Sequence, residues 1–223
     1  DKDVESFFET GITYTNNVSV SKSFENTNVR LSYTNTNISG VVPNSSVKKD
    51  NFGINLNTKL SDKLKAEAIV NFAHTEGFNR PEQGYGDNSV AQKFYQWGQR
   101  QLDFSKLRDY KLANGMQRTW NRTSWDDATP LYSDNPYWTV YENISQDKRD
   151  RFYGSAGLTY NFSSKVYLTG KVLGDTYSQD IDSRVAIGSA ALSEYNVSKR
   201  NRSEYNYEGI LHYDDNFGDL SLN

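Results

Sequence analysis

Apolar residues recur at every second position in seven stretches of the chain. Ile12, Tyr14, Val18 and Val20 share one face of the first stretch, and Val29, Leu31 and Tyr33 one face of the second. Phe52, Ile54, Leu56 and Leu60 mark the third, and Leu64, Ala66, Ala68, Val70 and Phe72 the fourth. Phe152, Ala156, Leu158, Tyr160 and Phe162 mark the fifth, Val166, Leu168 and Val172 the sixth, and Tyr205, Tyr207, Leu211 and Tyr213 the seventh. The intervening positions are mostly polar, as at Lys65, Glu67 and Asn71, with Ile69 and Ala73 as exceptions. A period of two is that of a strand with one apolar and one wet face. Several stretches run to about 12 residues or more, well beyond the globular mode of about 5–6.

The joints between these strands alternate in length. Those at 24–26, 61–63, 163–164 and 215–218 are tight, whereas those at 38–50, 77–148 and 180–199 are long. Outer-membrane barrels carry short turns at one end and long loops at the other. A soluble sandwich also alternates apolar and polar residues, but nothing in its architecture gathers every long loop at one end. The pattern predicts an all-β, antiparallel, up-and-down transmembrane β-barrel wall of about 7–8 strands, each crossing needing roughly 9–11 residues. Leu64, Ala66, Ala68, Val70, Leu158, Tyr160, Leu168 and Val172 are then expected to face lipid, and Lys65, Glu67, Asn71, Thr159 and Lys171 the lumen. The chain stops in the opening residues of an eighth strand, at 220–223. An open edge in hydrocarbon leaves backbone groups unpaired, so the expectation is a piece of a longer wall.

Composition agrees with that reading. Hydrophobic residues make up only 35% and mean hydropathy is -0.81, which resembles a disordered chain, yet 14% of residues are aromatic. Disordered chains are poor in aromatics. A barrel reconciles the two, because its lumen is polar and its interfaces are girdled by Tyr, Trp and Phe. No stretch approaches the roughly 20 apolar residues of a membrane helix. The absence of Cys removes disulfides and thiolate metal sites. The net charge of -3 argues against a nucleic-acid partner.

The longest joint has structure of its own. Residues 90–100 space Val90, Phe94 and Trp97 helically behind Asn88 or Ser89 as N-cap, and 104–112 predict a second short helix, capped by Asp103 and ended at Asn114-Gly115. All four Trp lie in this joint. Aromatic faces suit sugar rings and partner anchors, so Trp120, Trp125, Tyr132, Tyr137 and Trp138 are the candidate substrate or partner contacts. The bland alternative is that these rings pack the loop's own small core. Trp120 and Trp125, in a polar stretch, point to exposure, and Trp97 to the core.

Catalytic chemistry finds little support. His74 and His212 lack metal-ligand spacing. Asp126-Asp127 and Asp214-Asp215 are adjacent carboxylates, the latter where a turn favours Asp, and no Gly-x-Ser-x-Gly or phosphate loop occurs. No enzyme, metal or cofactor is expected.

Several strings also resemble a known family in order along the chain. They are Phe7-Phe8-Glu9-Thr10-Gly11, Asn28-Val29-Arg30-Leu31-Ser32-Tyr33, Gly40-Val41-Val42-Pro43-Asn44, Asp134-Asn135-Pro136-Tyr137-Trp138, Arg149-Asp150-Arg151-Phe152-Tyr153-Gly154 and Leu168-Thr169-Gly170-Lys171-Val172-Leu173-Gly174-Asp175. Together they resemble the SusC/RagA-like TonB-dependent outer-membrane transporters. That resemblance implies a plugged, roughly 22-stranded barrel in the outer membrane of a Gram-negative, Bacteroidota-like bacterium. It implies a SusD-like surface lipoprotein, the TonB system and outer-membrane lipid as partners, and active import of an oligosaccharide or peptide. Residues 1–9 would be the linker from plug to barrel, 10–223 part of the barrel, and 77–148 its long extracellular loop. A passive porin or surface adhesin on the same wall, or a soluble carbohydrate-binding β-domain, are the competing functions.

Overall fold

In the computed structural model, residues 4–217 and 220–222 are described. Seven strands form one antiparallel meander in chain order: β1 (Ile12–Ser23), β2 (Thr27–Ser39), β3 (Ser46–Lys59), β4 (Leu64–Phe78), β5 (Ser145–Asn161), β6 (Val166–Val185) and β7 (Glu194–Tyr213). Two short strands, β8 (Asp215–Phe217) and β9 (Leu220–Leu222), pair with each other in a separate ladder. Gly218 and Asp219 lie outside the described residues, as do Asp1–Asp3 and Asn223, so the tight joint expected at 215–218 is described only in part.

The register aligns the two faces as the alternation predicts. Leu64, Tyr160, Leu168 and Leu211 form one cross-strand row, and Leu56, Ala68, Ala156, Val172 and Tyr207 another. Lys65 lies opposite Thr159 on the other face, and Lys171 reaches Glu67 at 2.8 Å. Leu158, Leu168 and Val172 are exposed although they sit in the middle of a sheet. Among the described residues, every buried apolar side chain belongs to the N-terminal turn or to a loop, and none to these seven strands. An apolar face without a protein core beneath it needs an apolar solvent, which is the arrangement of a barrel wall in lipid.

The edges of that face are marked. Tyr33, Phe52, Phe72 and Phe152 stack across β2–β5 at ring distances of 4.6, 6.3 and 4.6 Å. Phe24, Leu60, Phe162 and Tyr213 stand exposed at the tight-turn end. From Phe72 to Leu64 the wall spans about 26 Å along the strand, close to the roughly 25 Å of a lipid-facing band. Beyond Phe72 the same face turns polar. Asn35, Asp50, His74 and Asp150 form the next row, followed by Lys48, Glu76, Lys148, Asp180 and Lys199. This last row alternates in sign, with Lys148–Glu76 at 3.0 Å and Lys199–Asp180 at 3.3 Å.

The strands therefore continue past the membrane, and this corrects several expected boundaries. The joint expected at 38–50 shrinks to 40–45, because β2 and β3 extend through Ser39 and from Ser46. The third long joint contracts to 186–193, and the longest to 79–144. The reason is common to all three. Outside lipid both faces of a strand are wet, so the alternation that identified the strands disappears while the backbone ladder goes on.

An Arg in place of Leu158, in the lipid-facing band, should cost about 2–4 kcal/mol of stability in bilayers. Thr159→Arg, one residue on and facing inward, should cost much less. Unfolding of the full-length protein in lipid vesicles measures both, and equal costs would reverse the face assignment.

Candidate functional site

The upper ends of the strands carry an ordered cap. Its core joins Val90, Phe104, Leu107, Tyr137 and Val140 of the long loop to Phe7 and Val42 from elsewhere. Phe7 contacts Phe94 and Tyr137 edge-on at 5.1 and 4.9 Å, so the 3₁₀ turn Val4–Phe7 is tied to a segment far along the chain.

Both expected helices are present but shorter. Ser89 caps α1 (Val90–Gln92) by accepting from the Gln92 amide, and the chain then widens into a π turn over Lys93–Trp97 before Gly98. Lys93 is buried and donates to the Asp87 carbonyl at 2.6 Å, and burial pulls its ammonium below the ordinary lysine value. The second helix is a 3₁₀ turn, Phe104–Arg108, whose i, i+3 spacing buries Phe104 and Leu107. The Asp103 carboxylate accepts from Ser105 rather than capping it.

A third element, α2 (Pro136–Tyr141), escaped the sequence reading. Its signal was present: an Asn followed by Pro at the first helical position. Asn135 is fully buried and is the hub of the cap. Its side chain accepts from the Tyr137 amide at 2.8 Å and donates to the carbonyls of Leu107 and Arg118 at 2.8 and 2.7 Å. Asp134 accepts from Gln117 and from the Ala190 amide, both at 2.6 Å. Asn143 accepts from the Ala186 amide at 2.8 Å, and Trp138 donates to Ser189 at 2.9 Å. Asn44 and Asn79 both donate to the Val140 carbonyl, at 2.7 and 2.9 Å. The three upper loops are thereby pinned to one another.

The five candidate aromatics do not form one surface. Trp125 is 89% exposed, and Tyr132 is 62% exposed while stacking on Trp97 at 5.4 Å. Trp120, expected at the surface, is partly buried against the core and donates to the Trp97 carbonyl at 3.1 Å. Tyr137 and Trp138 are buried within the cap. The other candidates resolve as local structure. Asp127 caps a turn through Thr129, which holds its carboxyl below the usual carboxylate range. Asp215 pairs with Lys165 at 2.7 Å, His74 bonds Asp150 at 2.6 Å, and His212 stacks on Tyr167. No metal-binding cluster occurs among the described residues.

Beneath the cap lies a cavity of about 700 Å³ lined by Asn79, Glu82, Val140, Asn143, Ile181 and Leu192. Ile181 belongs to the inward face of β6, so the cavity opens along the polar side of the wall. Directly below it, the rows Thr15, Thr36, Lys49, Thr75, Arg149, Gln179, Arg200 and Asn17, Thr34, Asn51, Ala73, Arg151, Tyr177, Arg202 run across the sheet. Sequence reasoning missed this set, because no single strand shows it.

Among solved structures, the chain superposes on the RagAB peptide transporter with a TM-score of 0.71 at 12% identity, covering 97% of this chain and 24% of that one. The RagAB peptide importer in its closed-closed state gives 0.69 at 14% identity over 96% of this chain and 23% of that one. No family model matches. In sequence the chain is 28% identical over 169 residues to TonB-dependent receptor P26 of Formosa agariphila, covering 76% of this chain and 15% of that protein. The chain is thus similar in sequence to a TonB-dependent receptor and shares the barrel-wall fold of the RagAB transporter. It spans well under a third of the length of each protein it matches. Within such a receptor wall, the cap and the inward rows occupy the end that carries the long loops.

Asn135→Ala should destabilise the cap by about 2–4 kcal/mol, because it removes an N-cap and orphans two buried carbonyls. Hydrogen exchange on the full-length protein should show protection lost over 104–141 and retained in β4–β6. Unchanged protection in the cap would refute the hub.

Proposed function

We propose that this wall belongs to an outer-membrane importer of an oligosaccharide or peptide, energised by TonB and closed from outside by a SusD-like surface lipoprotein. The observation that carries the reading is an ordered, loop-built cap leaning over the polar face of a receptor-type wall. Its likeness to a TonB-dependent receptor in sequence and to RagAB in fold supports the same reading. Transport, rather than catalysis, is the work of such a wall.

In this reading the cap is the recognition element. Trp125 and Tyr132 are its outward anchors, since large exposed aromatics supply most of the energy of protein interfaces. Tyr95, 92% exposed, joins them on the same loop. Trp120, Tyr137 and Trp138 are the framework that holds those anchors in place. Residues 1–9 serve as the linker into the barrel, with Phe7 fastening it to the cap.

Trp125→Ala combined with Tyr132→Ala should weaken association with the lipoprotein by about 2 kcal/mol or more, roughly thirtyfold. Co-purification and titration with the purified lipoprotein measure this, with Asn135-dependent exchange protection as the folding control. Full-strength association by the double variant would remove the anchors from the interface.

A further inference from the structure

The two faces of the wall differ in charge at the same height. Outward, just beyond the aromatic girdle, Lys48, Lys148 and Lys199 alternate with Glu76 and Asp180, and Asp50 and Asp150 lie in the next row. Cations there are matched by carboxylates. Inward, Lys49, Arg149, Arg151, Arg200 and Arg202 have three carboxylates in the adjacent rows, Asp147, Asp175 and Glu204, and Asp147 is taken by Arg80 at 2.8 Å. Asp175 holds Arg151 through a bidentate pair, and Glu204 holds Arg202 at 2.8 Å. Lys49, Arg149 and Arg200 form no ion pair among the described residues. A chain of net charge -3 thus collects surplus positive charge on one patch.

The patch is built for oxyanions. The Arg149 guanidinium lies over the Tyr177 ring at 4.0 Å, which fixes its plane, and its Nε is buried without a hydrogen-bond partner. Planar guanidinium groups bind carboxylate and sulfate bidentately. Arg149 and Arg200 lie two strands apart, about 10 Å, and Arg149 and Arg151 two residues apart, about 7 Å. That spacing addresses several charges on one ligand. The neighbouring side chains in the same rows are mostly polar, with Thr36, Thr75, Asn17, Thr34 and Asn51 among them and Ala73 and Tyr177 the less polar members. Hydroxyls and amides complement a hydroxyl-rich chain.

We infer that the inward patch around Arg149 and Arg200 selects an acidic oligosaccharide, one carrying repeated carboxylate or sulfate groups, as it passes below the cap. The inference rests on the import reading and names the substrate class of that site.

The test uses the full-length protein in detergent, titrated with oligogalacturonate, a sulfated oligosaccharide, a neutral oligosaccharide and hexaglutamate. One acidic glycan should bind best, with affinity falling steeply as salt rises. Arg149→Gln with Arg200→Gln should weaken it about tenfold or more, while Lys148→Gln with Lys199→Gln, the outward pair at the same height, should leave it unchanged. The carboxylated and sulfated probes distinguish the two oxyanions. Equal losses from the inward and outward pairs, hexaglutamate binding as tightly as the glycans, or binding of the neutral oligosaccharide alone would each overturn the inference and leave the import reading standing. Failure to bind or take up any oligomer would overturn both. A change in inward-pair variants confined to folding stability, with ligand affinity intact, would assign the patch to the barrel's interior packing and also refute it.

Discussion

Hydrocarbon offers no hydrogen-bond partner to a backbone N–H or C=O, so each one must be met within the protein. The unbroken register from β1 to β7 is the response of this chain to that constraint. It forces antiparallel neighbours in sequence order and keeps the turns at one end tight. It also inverts the usual economy of packing. The lipid-facing side chains need no protein partner, which is why exposed Leu, Val and Phe line a sheet whose strands bury no apolar residue among those described.

The same ladder explains the cap. Because the strands project beyond the lipid, the loops start from a rigid rim rather than from the membrane surface. A loop without a ladder must satisfy its backbone by other means. Here Asn135, Asn143, Asn79, Gln117 and Asp134 do so, each bonding groups on a different segment. Ordering costs about 1–2 kcal/mol per residue, and the small core around Phe104, Leu107 and Tyr137 offsets it with help from Phe7. The cap is therefore one unit with the start of the barrel, and the exposed Trp125 and Tyr132 stand on a fixed base.

Electrostatics sorts the wall in a second direction. Above the girdle, lysine and carboxylate alternate on the outside, whereas guanidinium groups exceed their carboxylate partners inside. Exposed, alternating pairs contribute little to stability but keep the rim wet. Arg149 and Arg200, without carboxylate partners, leave the inner face with positive charge that the outer row does not carry. The two faces thus differ in charge at one height.

Much of this could be read from the chain alone. Strand order, the two faces and the end that carries tight turns follow from a period of two, which is local information imposed by lipid on one side and water on the other. The same logic failed at 38–39, 46–50, 180–185 and 194–199, where both sides are wet and the period vanishes while the strands persist. Helix starts at Ser89 and 104 were legible as capping chemistry, but their lengths were not, because the packing of Phe94, Phe104 and Phe7 decided them. Tertiary structure alone buried Tyr137 and Trp138 while leaving Trp125 in solvent, since the partners that cover them lie as far away as Phe7 and Ser189. It alone placed Lys49, Arg149 and Arg200 on one face at one height. Register between strands is a property of pairs, and no strand carries it in its own sequence.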